Sequence, residues 1–195
     1  MWGCFPIYWA LLNHVNPSEV LVHRMLWSVP VLFFLVNFKP SWRLNFKESL
    51  SSKKELVFLL ITAILITINW GGYILAVNLG RVVEASMGYF LSPVINMIGG
   101  YIFFNERISK LKQLAVLFAT VGALYYVFSG DSFPWLGFLV GFTFSAYGIA
   151  RKAMASSAVP GLYIETLILL PFFLIFSIWF YLNFDVSFLN VDIST

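Results

Sequence analysis

Residues 78–93 read NLGRVVEASMGYFLSP and set Arg81 and Glu84 three residues apart between two long apolar runs. No charge interrupts residues 61–77 before them or 85–105 after them. A helix needs about 20 apolar residues to cross a bilayer's hydrocarbon core, and both runs suffice. With Gly80 as punctuation, the stretch reads as a hairpin tip joining two membrane spans. Its two charges are then a solvated turn, a structural clamp or part of a working site. A local pair in an exposed turn contributes only about 0–1 kcal/mol, and Glu84 in a first helical turn suits the helix dipole. Alternatively, one of them meets Glu19, His23 or Arg24, which sit at similar depth on the preceding span. Glu19, Arg24, Arg81 and Glu84 would then form a charged outer gate.

Composition fits a membrane setting. The 195 residues are 60% hydrophobic and 11% charged, where soluble domains carry about 25% charge. The fold class expected is all-α, a polytopic membrane helix bundle. Six complete spans are expected at about 19–38, 56–78, 83–104, 111–128, 134–153 and 163–184. Residues 1–12 make only about 18 Å of helix, so they count as a partial first span, and the chain reads as a fragment. Uninterrupted apolar runs of this length exclude open strands, whose unpaired backbone is too costly in lipid.

Charge sets the orientation. Ten of the twelve Lys and Arg residues lie in 39–54, 105–112 and 151–162. Those three segments are expected to be cytoplasmic loops. Arg81 is the exception on the other side, where the tail adds Asp185 and Asp192.

Polar residues inside the spans are the candidates for function, because each is expensive in lipid and must find a partner, a ligand or a wet cavity. In EVLVHRMLWSVP (19–30), Glu19, His23, Trp27 and Pro30 share one helix face. His23 and Arg24 either line a substrate path or pair with Glu19 near the interface. In TINWGGYILAVN (67–78), Asn69 and Tyr73 lie four apart. Tyr89, Pro93, Asn96 and Gly100 form a matching stripe on the next span, where Pro93 removes a backbone hydrogen bond and can kink the helix. Each polar group alone is as well explained by interhelical hydrogen bonding. Two stripes on adjacent helices favour a cavity wall. Gly137, Gly141 and Ser145 form a close-packing face, Arg151 is an interfacial anchor, and Glu165 is expected in a first helical turn, where the dipole favours it.

Enzymatic signatures such as HExxH, GxSxG or a P-loop are missing. Cys4 is the lone cysteine and there are two histidines. No enzyme activity, metal, cofactor or nucleic-acid partner is expected. The expected partners are the lipid bilayer and a small-molecule substrate, with the oligomeric state left open.

The segment NERISKLKQLAVLFATVGALYY (105–126) resembles the turn and fifth helix of EamA-type members of the drug/metabolite transporter superfamily. Glu106, Arg107 and Gly122 fit that pattern, and Asn105 stands where Gly is usual. GCFPIYWALL (3–12), VHRMLWS (22–28), the block INWGG…NERIS (68–109) and PGLYIETLILLP (160–171) are similar to the RarD subfamily. The resemblance implies ten helices in two inverted five-helix repeats. Residues 1–128 would be the first repeat, with its first helix truncated, and 134–195 the start of the second. It also implies a secondary transporter working by alternating access, its cavity wall drawn from Trp9, His23, Trp27, Asn69, Tyr73, Tyr89 and Asn96. The other readings are an inactive truncated product or a non-transporting membrane scaffold.

Overall fold

The computed structural model describes residues 15–129 and 133–184, which form seven α-helices and, among the described residues, no strand. They are α1 (Pro17–Phe38), α2 (Pro40–Ser51), α3 (Lys53–Asn78), α4 (Val82–Phe104), α5 (Lys110–Ser129), α6 (Trp135–Lys152) and α7 (Ala158–Asn183). The expected half-span at 1–12, with Trp9, lies outside the described residues. Five helices are long and apolar enough to cross a membrane: α1, α3, α4, α5 and α7. The sixth expected span, α6, has only 18 residues and ends on Arg151 and Lys152. That is about 27 Å of helix, and its last turn is too basic for the hydrocarbon.

Two boundaries depart from expectation. The segment 39–54, expected as a loop, holds the twelve-residue helix α2. Lys39 is extended (φ −113°, ψ 119°) ahead of Pro40 at the helix start. Proline forces its predecessor out of the helical region, then suits the first turn because its missing N–H is not needed there. The five basic residues of 39–54 disguised this break. In addition, α7 starts at Ala158, five residues before its expected start, and absorbs Pro160 in its first turn. Asn45 Oδ1 accepts the backbone N–H of Ser157, the residue that caps α7, at 2.8 Å.

The helices fall into two compact units. One comprises the described residues up to Ile64 together with those from Met154 on; the other is Leu65–Ala153. In the first unit α1 packs along α7, and α2 packs on both. Its core is Leu32, Val36 and Tyr163, flanked by Val29, Phe46, Val159, Leu162 and Leu167. Phe46 stacks on Tyr163 with ring centroids 5.2 Å apart. Lipid tails are as apolar as these side chains, so what stabilises such a seam is interlocking van der Waals contact rather than escape from water.

In the second unit α4 packs along α6, and α5 leans on α4. The α4–α6 seam is built by small residues. A Cβ on Gly88 would lie 2.5 Å from the Gly137 carbonyl oxygen, and one on Gly137 would lie 2.5 Å from that of Glu84. A Cβ on Gly141 would come within 2.8 Å of the Gly88 oxygen. Backbone touches backbone here, so only glycine fits. Ser145, next in the expected small-residue face, donates to the Ser92 carbonyl at 3.4 Å.

Both ends of α4 are set by left-handed residues. Gly80 (φ 71°) ends α3, with Arg81 N–H returning to the Ala76 carbonyl at 2.8 Å. Asn105 (φ 51°, ψ 35°) ends α4, with Glu106 N–H returning to the Gly100 carbonyl at 3.2 Å. The first is a Schellman closure; the second spans one residue more, with Asn in the left-handed position because its short polar side chain tolerates this conformation.

Candidate functional site

Arg81 and Glu84 do pair, but not as an exposed turn. Arg81 Nε lies 2.5 Å from Glu84 Oε2, yet the Glu84 side chain is only 4% exposed. Its other oxygen accepts the backbone N–H of Leu136 at 2.7 Å and, more weakly, that of Gly137 at 3.4 Å. Helix α6 starts behind Pro134, which has no capping side chain. Glu84 supplies that cap from a neighbouring helix and meets the positive end of the α6 dipole. The Arg81 guanidinium also sits 5.9 Å from the centre of the Trp135 ring.

Further along the second unit, Asn69 is buried and spends its amide on α6. Its Nδ2 donates to the Val140 carbonyl at 2.8 Å and to Thr143 Oγ1 at 3.2 Å. Tyr73 packs beside Ala76, Ala85 and Leu136, with its ring 5.9 Å from that of Tyr89. Tyr89 in turn meets Phe144 edge-on at 5.8 Å. Helix α4 runs unbroken through Pro93, which is exposed. Asn96 is exposed too, and opens into a cleft of about 240 Å³ whose other walls are Gly100, Phe104, Glu106, Gly148, Ile149 and Lys152.

The cleft's mouth carries an ion pair that sequence reasoning missed. Glu106, just past the α4 terminus, pairs with Lys152 at the end of α6. The Lys152 ammonium also lies 4.8 Å from the centre of the Phe104 ring. The hydrogen bond from Lys152, then its charge, then the more distant Lys112, hold the Glu106 carboxyl below the usual carboxylate range. Opposite charges on neighbouring helix ends were the only available signal, and 46 residues separate the two.

In the first unit, Glu19 is buried and His23 and Arg24 are half-buried, whereas Trp27 is 66% exposed. Of the residues sharing their face, only the outer two turn inward. His23 Nε2 is 2.8 Å from the Tyr181 hydroxyl, a partner the sequence reading did not name. Glu165 is also corrected. With α7 beginning at Ala158 it falls in the third turn, 1% exposed, where Thr62 Oγ1 donates to it at 2.7 Å. It is a carboxylate within the apolar part of the fold and not an interfacial dipole partner.

Residues 1–128 match the model of the EamA-like transporter family. Among curated proteins the chain is 35% identical to the uncharacterized transporter YojE of Bacillus subtilis over 173 residues, 88% of this chain and 58% of that protein. It is 37% identical to protein RarD of Salmonella typhimurium over 171 residues, 88% of this chain and 58% of the relative. For protein RarD of Escherichia coli the identity is 36% over 171 residues, covering 88% and 57%. The chain thus spans less than two thirds of the length of the curated relatives it matches. No solved structure matches it at a significant level.

Proposed function

This chain belongs to the EamA-like transporter family, and on that premise we propose that it is part of a secondary transporter moving small metabolites or drug-like molecules by alternating access. In this reading residues 1–128 belong to one repeat and 134–195 open a second, inverted one. An odd number of helices per repeat forces that inversion. The basic segments 39–54, 105–112 and 151–162 face the cytoplasm of a bacterial inner membrane, 39–54 as a surface helix rather than a loop.

One observation carries the reading. Among the described residues, Asn96 is an amide on a spanning helix that is exposed to a cleft. It lies about 21 Å along α4 by helical rise, well within the hydrocarbon. A polar group held open at that depth is matched by a solute or by water. Tyr89, about two turns away along α4, and Tyr73 of α3, its ring 5.9 Å from that of Tyr89, extend the proposed path with aromatic surface for apolar contact. Asn69 supports the wall from behind through its bonds to α6.

Flux tests this. Everted membrane vesicles containing the protein would be scanned with radiolabelled amino acids and aromatic antibiotics, and any transported solute carried to Asn96→Ala and Tyr89→Phe. A loss of about 1–3 kcal/mol in transition-state stabilisation, roughly 5- to 150-fold in flux, is expected where a polar contact to the solute is removed. Unchanged flux in both variants would remove these residues from the solute path.

A further inference from the structure

Two charged side chains from different helix ends meet along the open Asn96 cleft, and each is held in place. Asn105 takes the left-handed conformation and Glu106 N–H bonds the Gly100 carbonyl, so the backbone turns Glu106 back under α4. Gly100 leaves the room: a Cβ there would lie 2.5 Å from Glu106 Oε2. The carboxylate then meets Lys152, whose ammonium is also drawn over the Phe104 ring. The two charged side chains are about half exposed, so water and ions reach them. Behind them lie Asn96, Gly148 and Ile149.

We propose that Glu106 and Lys152 form a cytoplasmic latch that narrows the Asn96 cleft, and that its opening widens the way for the solute at this end of α4 and α6. The proposal rests on the transporter reading for what passes through the latch, but not for the latch itself. A pair this exposed is weak, because water competes for both charges and salt screens them. Weakness suits a gate, which must break and remake on every cycle. Lys152 is the last residue of α6 and Glu106 lies in the turn that leaves α4, so losing the pair unties one helix end from the other.

Cysteine accessibility tests the latch without any transport assay. In a Cys4→Ser background, Gly148→Cys places a single thiol inside the cleft. A Cβ at this position meets only Asn96 Oδ1, at an ordinary 3.6 Å, so the reporter does not disturb the fold. Everted vesicles expose the cytoplasmic face to a charged, membrane-impermeant maleimide. Glu106→Gln and Lys152→Gln should each speed labelling about two- to fivefold, the range an exposed ion pair supports. The exchange Glu106→Lys with Lys152→Glu should bring the rate back towards the reference. Gly100→Ala should speed labelling with both charges still present, because the added methyl displaces the carboxylate. Molar salt should speed the reference and leave Lys152→Gln unchanged. Reference-rate labelling in both single variants, or a charge exchange as fast as the singles, overturns the latch. Labelling confined to right-side-out vesicles overturns its cytoplasmic position. Failure of the flux experiment with these labelling changes intact would strike the transporter reading and leave the latch standing.

Discussion

Helices α4 and α6 are tied together at both ends by a glutamate, and the two ties are opposite in kind. At one end Glu84 is buried, its oxygens divided between the Arg81 guanidinium and the first N–H groups of α6. At the other end Glu106 stands in solvent and meets Lys152. Between them the helices touch backbone to backbone through Gly88, Gly137 and Gly141. One end is therefore fixed, the middle is tight, and the far end is held by an interaction that water can replace. A helix pair so built moves most freely at its weak end, where the Asn96 cleft lies. The same residue type, at both ends of one helix, thus does structural work where it is desolvated and bonded to backbone, and gating work where it is not.

The sharpest way to break the contrast is at the buried end. Glu84→Ala removes an ion-pair partner and the cap of α6 together, leaving Arg81 and the N–H groups of Leu136 and Gly137 without their acceptor. Removing one side of a buried, hydrogen-bonded charge costs about 3–5 kcal/mol. Because Arg81 is partly exposed, a value of about 2–4 kcal/mol is expected. It would be read as a lowered midpoint of unfolding in mixed detergent, and a midpoint equal to wild type would show that Glu84 carries no fixed load. The seam comes next. Gly88→Ala drives a methyl to 2.5 Å from the Gly137 carbonyl oxygen. Backbone cannot yield as a side chain tip does, so overpacking of about 1–3 kcal/mol is expected on the same scale. The same change at Gly122, where a Cβ meets nothing, serves as the neutral control.

The contrast also explains what could be read from the chain alone. Spans were legible because lipid demands long apolar helices, and the small-residue face of α6 was legible from spacing. What spacing cannot give is the partner. Gly88 was not recognised as the surface Gly137 and Gly141 meet, nor Lys152 as the partner of Glu106. Arg81 and Glu84 stay open between turn, clamp and gate, because sequence shows their separation and not their burial. The α6 N-terminus that buries Glu84 lies 52 residues away. Glu165 is misplaced for a related reason: its setting depends on where α7 begins, and α7 begins at Ala158 with Pro160 in its first turn. Helix α2 is masked because its basic residues look like a loop, although Pro40 marks a helix start.

The exposed end gives the smallest effect on stability and the most informative one. Glu106→Gln should leave the unfolding midpoint within experimental scatter, since solvent already competes for both partners. Its signature is pH dependence. Lys152 holds the Glu106 carboxyl below its ordinary range, so the pair's contribution is complete above the unfolded carboxylate pKa and is lost only as pH falls through the lower, folded value. Labelling of the Gly148→Cys reporter should therefore be flat from about pH 8 down to about pH 5 once corrected for thiol ionisation, and should rise below that. Glu106→Gln should label fast across the whole range, because it has no proton to gain. An opening step near neutral pH would assign the closure to a different titrating group and take Glu106 out of the latch.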